Sequence, residues 1–151
     1  MKVLVLYESV HHGNTEKVAK AMAKALGAEL KKASEADFLE GYDLIGLGSG
    51  IYFSRHHKSV IDAVKRLEFR GKDIFIFSTA GYPLLKHIYH LELAQRLKLK
   101  GAQVVGDFSC RGFGTYGPYR LIGGLNKGCP GREELEKAKE FGRKVRAEAR
   151  L

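Results

Sequence analysis

Three short runs, Val3-Leu-Val-Leu6, Leu44-Ile-Gly-Leu47 and Ile74-Phe-Ile-Phe77, hold only apolar residues and glycine, and helical patterns lie between them. A run that is apolar at every position has no face for water. As a strand it must be covered on both sides, as in a parallel sheet whose crossover helices lie on its two faces. The full pattern predicts strands over Lys2–Tyr7, Glu29–Lys32, Asp43–Gly48, Asp73–Ser78 and Ala102–Phe108. It predicts helices over Asn14–Leu26, with Val18, Met22, Ala25 and Leu26 on one face, and over Lys58–Leu67, with Val60, Val64 and Leu67 inward. A third follows Pro83, with Leu84, Ile88 and Leu91 on one face, and a fourth runs from Arg132 with Leu135, Ala138, Phe141 and Val145. Strands alternating with helices in this way fit an α/β fold, a three-layer doubly wound parallel sheet of five strands in the order 2-1-3-4-5.

The chain has 151 residues, 44% of them hydrophobic, which suits one domain, 1–151, around a sizeable core. The formal net charge is +9. Nucleic acid would ask for a basic run or a recognition motif. Here Lys and Arg are scattered among Glu, so a solvated basic surface is the expectation and nucleic acid is not. No apolar run approaches the ~20 residues of a membrane span. The N-terminus enters a strand at once, without the pattern of a signal peptide. Cys110 and Cys129, the two cysteines, form neither a disulfide framework nor a zinc spacing. These features fit a reducing cytoplasm.

In a doubly wound sheet, ligands bind beyond the carboxyl ends of the strands, at the switch point between strands 1 and 3. The segments there are Ser9-Val-His-His-Gly-Asn-Thr15, Gly48-Ser-Gly-Ile-Tyr-Phe-Ser54, Ser78-Thr-Ala-Gly-Tyr82 and Ser109-Cys-Arg-Gly112. A strand that turns through small and hydroxyl residues into a helix presents unpaired N–H groups and the positive end of the helix dipole. Ser9, Asn14 and Thr15 add side-chain donors, and no Lys or Arg lies in the loop, unlike a Walker loop. The plainer reading is that Asn14 or Thr15 caps the helix. Glycines admit a flat ligand close to backbone, and Tyr52, Phe53 and Tyr82 are placed to flank a ring. The glycine-rich connection Ser109–Gly131 carries Phe113, Tyr116, Tyr119, Leu121, Ile122 and Leu125, which argues for a packed, functional loop.

Rival readings of the same residues are weaker. Gly112-Phe-Gly-Thr-Tyr-Gly117 spells G-x-G-x-x-G, but Pro118 follows and no helix opens there. A receiver domain needs an acidic cluster at the strand ends, and only Glu8 is near strand 1. A low-molecular-weight phosphatase needs a cysteine in the first loop, which has none. The pairs His11-His12 and His56-His57 suit structural or phosphate-assisting roles better than a metal. His87 and His90 read as a surface face. Cys110 beside Arg111 is either a thiol of lowered pKa or a small buried residue.

Strand 1, Ser-(x)3-Gly-Asn-Thr, a helix, then Gly48-Ser-Gly-Ile-Tyr-Phe53 and Ser78-Thr-Ala-Gly-Tyr82 resemble the flavodoxins and flavodoxin-like proteins of short-chain type. The segment Gly123-Gly-Leu-Asn-Lys-Gly-Cys-Pro130 and its following helix extend the likeness over nearly the whole chain. The resemblance implies non-covalent FMN. Its phosphate loop falls on Ser9, His11, Gly13, Asn14 and Thr15. Its ring-facing backbone falls on Gly48, Ser49, Gly50, Ile51, Tyr52, Ser78, Thr79, Ala80 and Gly81, and Cys110 and Gly112 complete the candidate cofactor-binding set. No catalytic residue and no metal ligand are expected. The first loop is one residue longer than the common Ser-x-Thr-Gly-Asn-Thr, and the chain is basic where electron-carrying flavodoxins are acidic.

The function implied is electron transfer between redox partners, with an acidic ferredoxin or reductase favoured by the charge. The alternative is an FMN-dependent oxidoreductase acting on a quinone or a porphyrinogen, with Arg55 and Arg111 drawing in an anionic substrate. If Arg55, His56, His57 and Arg111 stand as cations at the rim, the flavin would be less reducing than in an acidic flavodoxin.

Overall fold

The structure is a computed structural model that describes residues 1–10, 12–113 and 123–149. Its strands are β1 (Val3–Glu8), β2 (Glu29–Lys32), β3 (Leu44–Tyr52), β4 (Arg55–His56), β5 (Asp73–Ala80) and β6 (Gln103–Arg111). Its helices are α1 (Asn14–Leu26), α2 (Lys58–Arg66), α3 (Lys86–Leu99) and α4 (Arg132–Ala149). The sheet order is β2-β1-β3-β5-β6, with β4 paired to the end of β3. Setting aside the two-residue β4, this is the doubly wound order that the pattern predicts.

Alternation along each strand divides the core in two. Val3, Val5, Tyr7, Phe75 and Phe77 face α1 and α4, where Val18, Met22, Ala138 and Val145 pack on them. Leu4, Leu6, Ile45, Leu47, Ile74 and Ile76 face α2 and α3, against Val60, Val64, Leu93 and Leu97. Gly46 and Gly48 of β3 face the first core. A Cβ on Gly46 would stand 2.3 Å from the Phe75 ring, and one on Gly48 2.3 Å from the Phe77 ring. Two aromatic rings lie flat on the sheet because their neighbour strand has no side chain there.

The structure alters three expectations. The strands run further than predicted at their carboxyl ends, because the ladder continues. Ser49 pairs with Ser78, Gly50 with Thr79, and Ala80 with Arg111. The second difference is the face that α3 buries. Its buried residues are Tyr89, His90, Leu93 and Leu97, whereas Leu84, Ile88 and Leu91 are exposed. The helix carries two apolar stripes, and periodicity alone does not choose between them. The third is His90, expected on the surface but only 3% exposed. Its Nδ1 lies 2.8 Å from Asp107 Oδ2 and its Nε2 2.8 Å from Ser78 Oγ. Paired on both nitrogens, an imidazole enters a core without an unsatisfied group.

Among the described residues no helix is long and apolar enough to cross a membrane. Nor is there, among them, any group of three or more His, Cys, Asp or Glu placed to hold a metal ion.

Candidate functional site

The carboxyl ends of β1, β3, β5 and β6 converge on a cleft that is open to solvent at its mouth. It is lined by Ser9, Val10, Asn14, Thr15, Gly50, Ile51, Tyr52, Thr79, Ala80, Gly81, Gly112, Phe113 and Leu125. This is the switch point, where the chain crosses from β1 to one side and from β3 to the other.

The floor is the start of α1. Gly13 takes the N-cap position in the left-handed conformation, φ 64°, and, as glycine, offers no capping side chain. His12 before it is also left-handed, φ 59°. Asn14 and Thr15 therefore do not act as caps. Asn14 Nδ2 donates to the carbonyl of Phe113 at 2.8 Å and ties the helix start to the segment after β6. Thr15 Oγ1 lies 2.8 Å from Thr79 Oγ1. Two hydroxyls have two hydrogens, and their contact uses one, so one is left for a ligand. Ser9 Oγ is buried with no hydrogen-bond partner among the described residues. A buried hydroxyl left so costs roughly 1–3 kcal/mol. An oxyanion at this floor would relieve that cost and meet the helix dipole as well.

The walls are strand ends rather than loops. Gly50 and Thr79, paired in the sheet, reach its base, and Ile51 and Tyr52 after the one and Ala80 and Gly81 after the other line it beyond that rung. β3 turns back at Phe53 and Ser54, both left-handed (φ 51° and 64°), into the antiparallel β4. Such a turn suits the twist of a two-residue hairpin but strains non-glycine residues. Across the cleft the segment after β6 folds over the β5 end. Gly112 N–H donates to the Ala80 carbonyl at 3.1 Å, and Asn126 Nδ2 to the Gly81 carbonyl at 3.0 Å. A Cβ on Gly112 would come within 2.8 Å of Asn14 Nδ2, so a side chain there would have to displace Asn14.

The other predicted residues sit behind the cleft. Gly48 lies under Phe77 in the core. Ser49 is buried, and its Oγ accepts the His57 N–H at 2.8 Å, 3.0 Å from His56 Nδ1 and 2.7 Å from the Gly50 carbonyl. Given to that carbonyl, its one hydrogen leaves His56 Nδ1 as the donor. Ser78 faces away, toward His90 and Ser109. Cys110 belongs to the core beside α4, and burial pushes its thiol up to about 12. His11 lies outside the described residues, as do Gly114, Tyr116, Gly117, Pro118, Tyr119, Leu121 and Ile122. Val10, Phe113 and Leu125 line the cleft without having been singled out as site residues. The apolar side chains of the glycine-rich connection were the signal for two of them.

The rim carries less free positive charge than the sequence suggests. Arg55 forks onto Glu92, with Nε 2.7 Å from Oε1 and the terminal nitrogen 2.8 Å from Oε2. Arg111 lies 3.5 Å from Glu134 Oε1. Burial, helped by the nearby His90, lowers the pKa of His56 to about 3, so the ring is neutral. His57 Nδ1 accepts the Ser59 N–H and caps α2.

Comparison with known proteins decides the family. The chain matches the flavodoxin domain over residues 4–106. The chain belongs to the flavodoxin family. This flavodoxin-family chain is 48% identical to an uncharacterized protein of Methanocaldococcus jannaschii over 147 residues, covering 96% of this chain and 98% of that one. Its fold is similar to that of flavodoxin 2 from Bacillus cereus, with a TM-score of 0.70, 21% identity and 98% and 99% of the two chains covered. It is also similar to a flavodoxin from the domain Archaea, with a TM-score of 0.68, 15% identity and both chains covered in full. A flavodoxin domain is a flavin-binding domain, and the residues fit one. The Ser9 hydroxyl, without a partner among the described residues, and the start of α1 would suit an anion, and Ile51, Tyr52, Ala80 and Gly81, beyond the last rung of β3 and β5, would suit a flat ring.

Proposed function

We propose that this protein binds FMN, as a single domain over 1–151, and carries electrons between redox partners. The observation that supports this best is Ser9, a cleft-lining residue whose buried hydroxyl has no partner among the described residues, at the foot of α1. FMN, when bound, supplies the redox chemistry; the protein orients it and sets its surroundings.

In this reading, Ser9 Oγ, the spare hydrogen of the Thr15–Thr79 pair and the first amides of α1 hold the phosphate with neutral donors. Gly50 and Thr79, the last paired rung of β3 and β5, lie beneath the ring, with Ile51 and Tyr52 to one side of it and Ala80 and Gly81 to the other. Their positions are held by ladder bonds, by Ser49 beneath Gly50 and by Asn126 on Gly81, so little has to reorganise when the ring binds. Gly112, Phe113 and Leu125 close the third side and limit water.

The partner that fits a domain of charge +9 is an acidic redox protein, such as a ferredoxin or its reductase. The small-molecule oxidoreductase loses support, because Arg55 and Arg111, its means of attracting an anion, are each held by a carboxylate. Stopped-flow electron transfer to an acidic ferredoxin tests the reading. The rate should fall as salt rises through about 0.1 M, where the screening length is ~10 Å. A rate that is flat or rising with salt removes acidic pairing and returns weight to the oxidoreductase.

A further inference from the structure

The outward face of α3 and the turn before it is apolar. Leu84 is 93% exposed, Ile88 59%, Leu91 55%, Tyr82 56% and Leu85 46%. Together these side chains expose on the order of 500 Å², near the top of the ~300–600 Å² range for the largest apolar patch on a monomer. A stable interface takes ~800 Å² from each partner, so the stripe supplies most of one.

We propose that this face binds a second copy of the chain, with the two α3 helices packed antiparallel about a two-fold axis at Ile88. Three observations carry it. Ile88 and Leu91 lie three residues apart on α3, the spacing of neighbours on one helix face, and Leu84 and Leu85 extend the apolar surface into the turn before it. An axis at Ile88 sets Ile88 against its own copy and brings Leu84 and Leu85 to the second copy's Leu91, so the patch complements itself, as an isologous interface requires.

The second observation is charge. The chain carries +9, yet the cations flanking the stripe are partly compensated within the chain, three cations against two carboxylates. Arg55 and Arg96 are both held by Glu92, and Lys86 pairs with Asp107. His87 is the one other exposed ionisable group between Leu84 and Leu91. About one net positive charge remains beside each stripe, so an acidic partner would gain little here, and two copies meet with far less like charge than the +9 of the whole chain. The third is order: Arg55 ties the β3–β4 hairpin to α3 through two hydrogen bonds, so the stripe sits on a braced helix. None of this rests on FMN binding, since Ile88 does not line the cleft.

Light scattering and sedimentation on the FMN-loaded protein test the proposal. The expected result is a dimer that tightens as salt rises, because screening weakens the repulsion of two +9 bodies while the apolar contact persists. Ile88→Lys should give a folded monomer with FMN affinity unchanged. Ile88→Cys should crosslink to its own copy under mild oxidation, since a residue on the axis meets itself. Gln95→Cys should not, because seven residues from the axis the two copies stand roughly 20 Å apart. A wild type that stays monomeric at millimolar concentration overturns the proposal. So does a dimer that survives Ile88→Lys, and so does a monomer in which Ile88→Lys slows electron transfer to a protein partner, which would give the face to that partner.

Discussion

Thr15, in the first turn of α1, and Thr79, near the end of β5, bring their hydroxyl oxygens to 2.8 Å in the interior. Both are buried, at 1% and 4% exposure. The pair joins the helix start to the strand end across the switch point and leaves one hydrogen for a ligand.

Thr15→Val keeps the shape and removes the hydroxyl. A hydrogen bond to a charged group contributes roughly 1.5–3 kcal/mol, so FMN should bind about ten- to a hundredfold more weakly. Flavin fluorescence quenching on titration of the apoprotein reads this. Unchanged affinity in both Thr15→Val and Thr79→Val would take the pair out of the phosphate grip.

Gly48 is expected to resist substitution for reasons of packing, not of ligand contact. The Cβ of Gly48→Ala would stand 2.3 Å from the Phe77 ring, which is 0% exposed. Overpacking of this kind costs typically 1–3 kcal/mol. Adding Phe77→Leu should recover part of the loss, so the two effects should not add. Urea denaturation of the two single variants and the double variant measures the coupling, and strict additivity would contradict the contact.

Stability should fall with acid from a higher pH than carboxylates alone would give. His56 is buried beside Ser49, with the His90 ring 5.2 Å away, and its pKa is lowered from 6.5 to about 3. Between those values the unfolded chain binds a proton that the folded chain refuses. Folding is therefore favoured above pH 6.5 and loses about 1.4 kcal/mol per unit as pH falls below it. Asp107 is lowered by its hydrogen bond to His90 and acts in the same direction, but only in the carboxylate range. His56→Asn keeps a polar atom near Ser49 Oγ without titrating. Its stability should be flatter between pH 6 and 4.5, and an unchanged slope would mean that His56 is not the group.

The sheet order was legible because Val3–Leu6, Leu44–Leu47 and Ile74–Phe77 admit one environment. The cleft was legible because Gly13-Asn-Thr15 and Thr79-Ala-Gly81 follow strands. What was hidden is set by pairing across the chain. Ser78 and Ser49 read like cleft residues, yet each turns toward a histidine whose burial no local pattern announces. Gly48 reads like ring-facing backbone, yet a ring of the protein itself occupies that space. The outward Leu84, Ile88 and Leu91 were obscured by a second stripe on the same helix. The charge on Arg55 and Arg111 was misjudged because Glu92 and Glu134 are distant in sequence.

The central claim is that the cleft is built around a phosphate on the start of α1. Titration of the apoprotein with FMN, riboflavin and FAD tests it most directly. FMN and riboflavin differ only by the phosphate, which this account seats on Ser9, on the Thr15–Thr79 pair and on the amides of α1. At least two charge-assisted bonds at roughly 1.5–3 kcal/mol each predict FMN tighter than riboflavin by about a hundredfold or more. FAD should bind more weakly than FMN, since the floor has one anion seat. Equal affinity for FMN and riboflavin would contradict the phosphate seat and the function drawn from it.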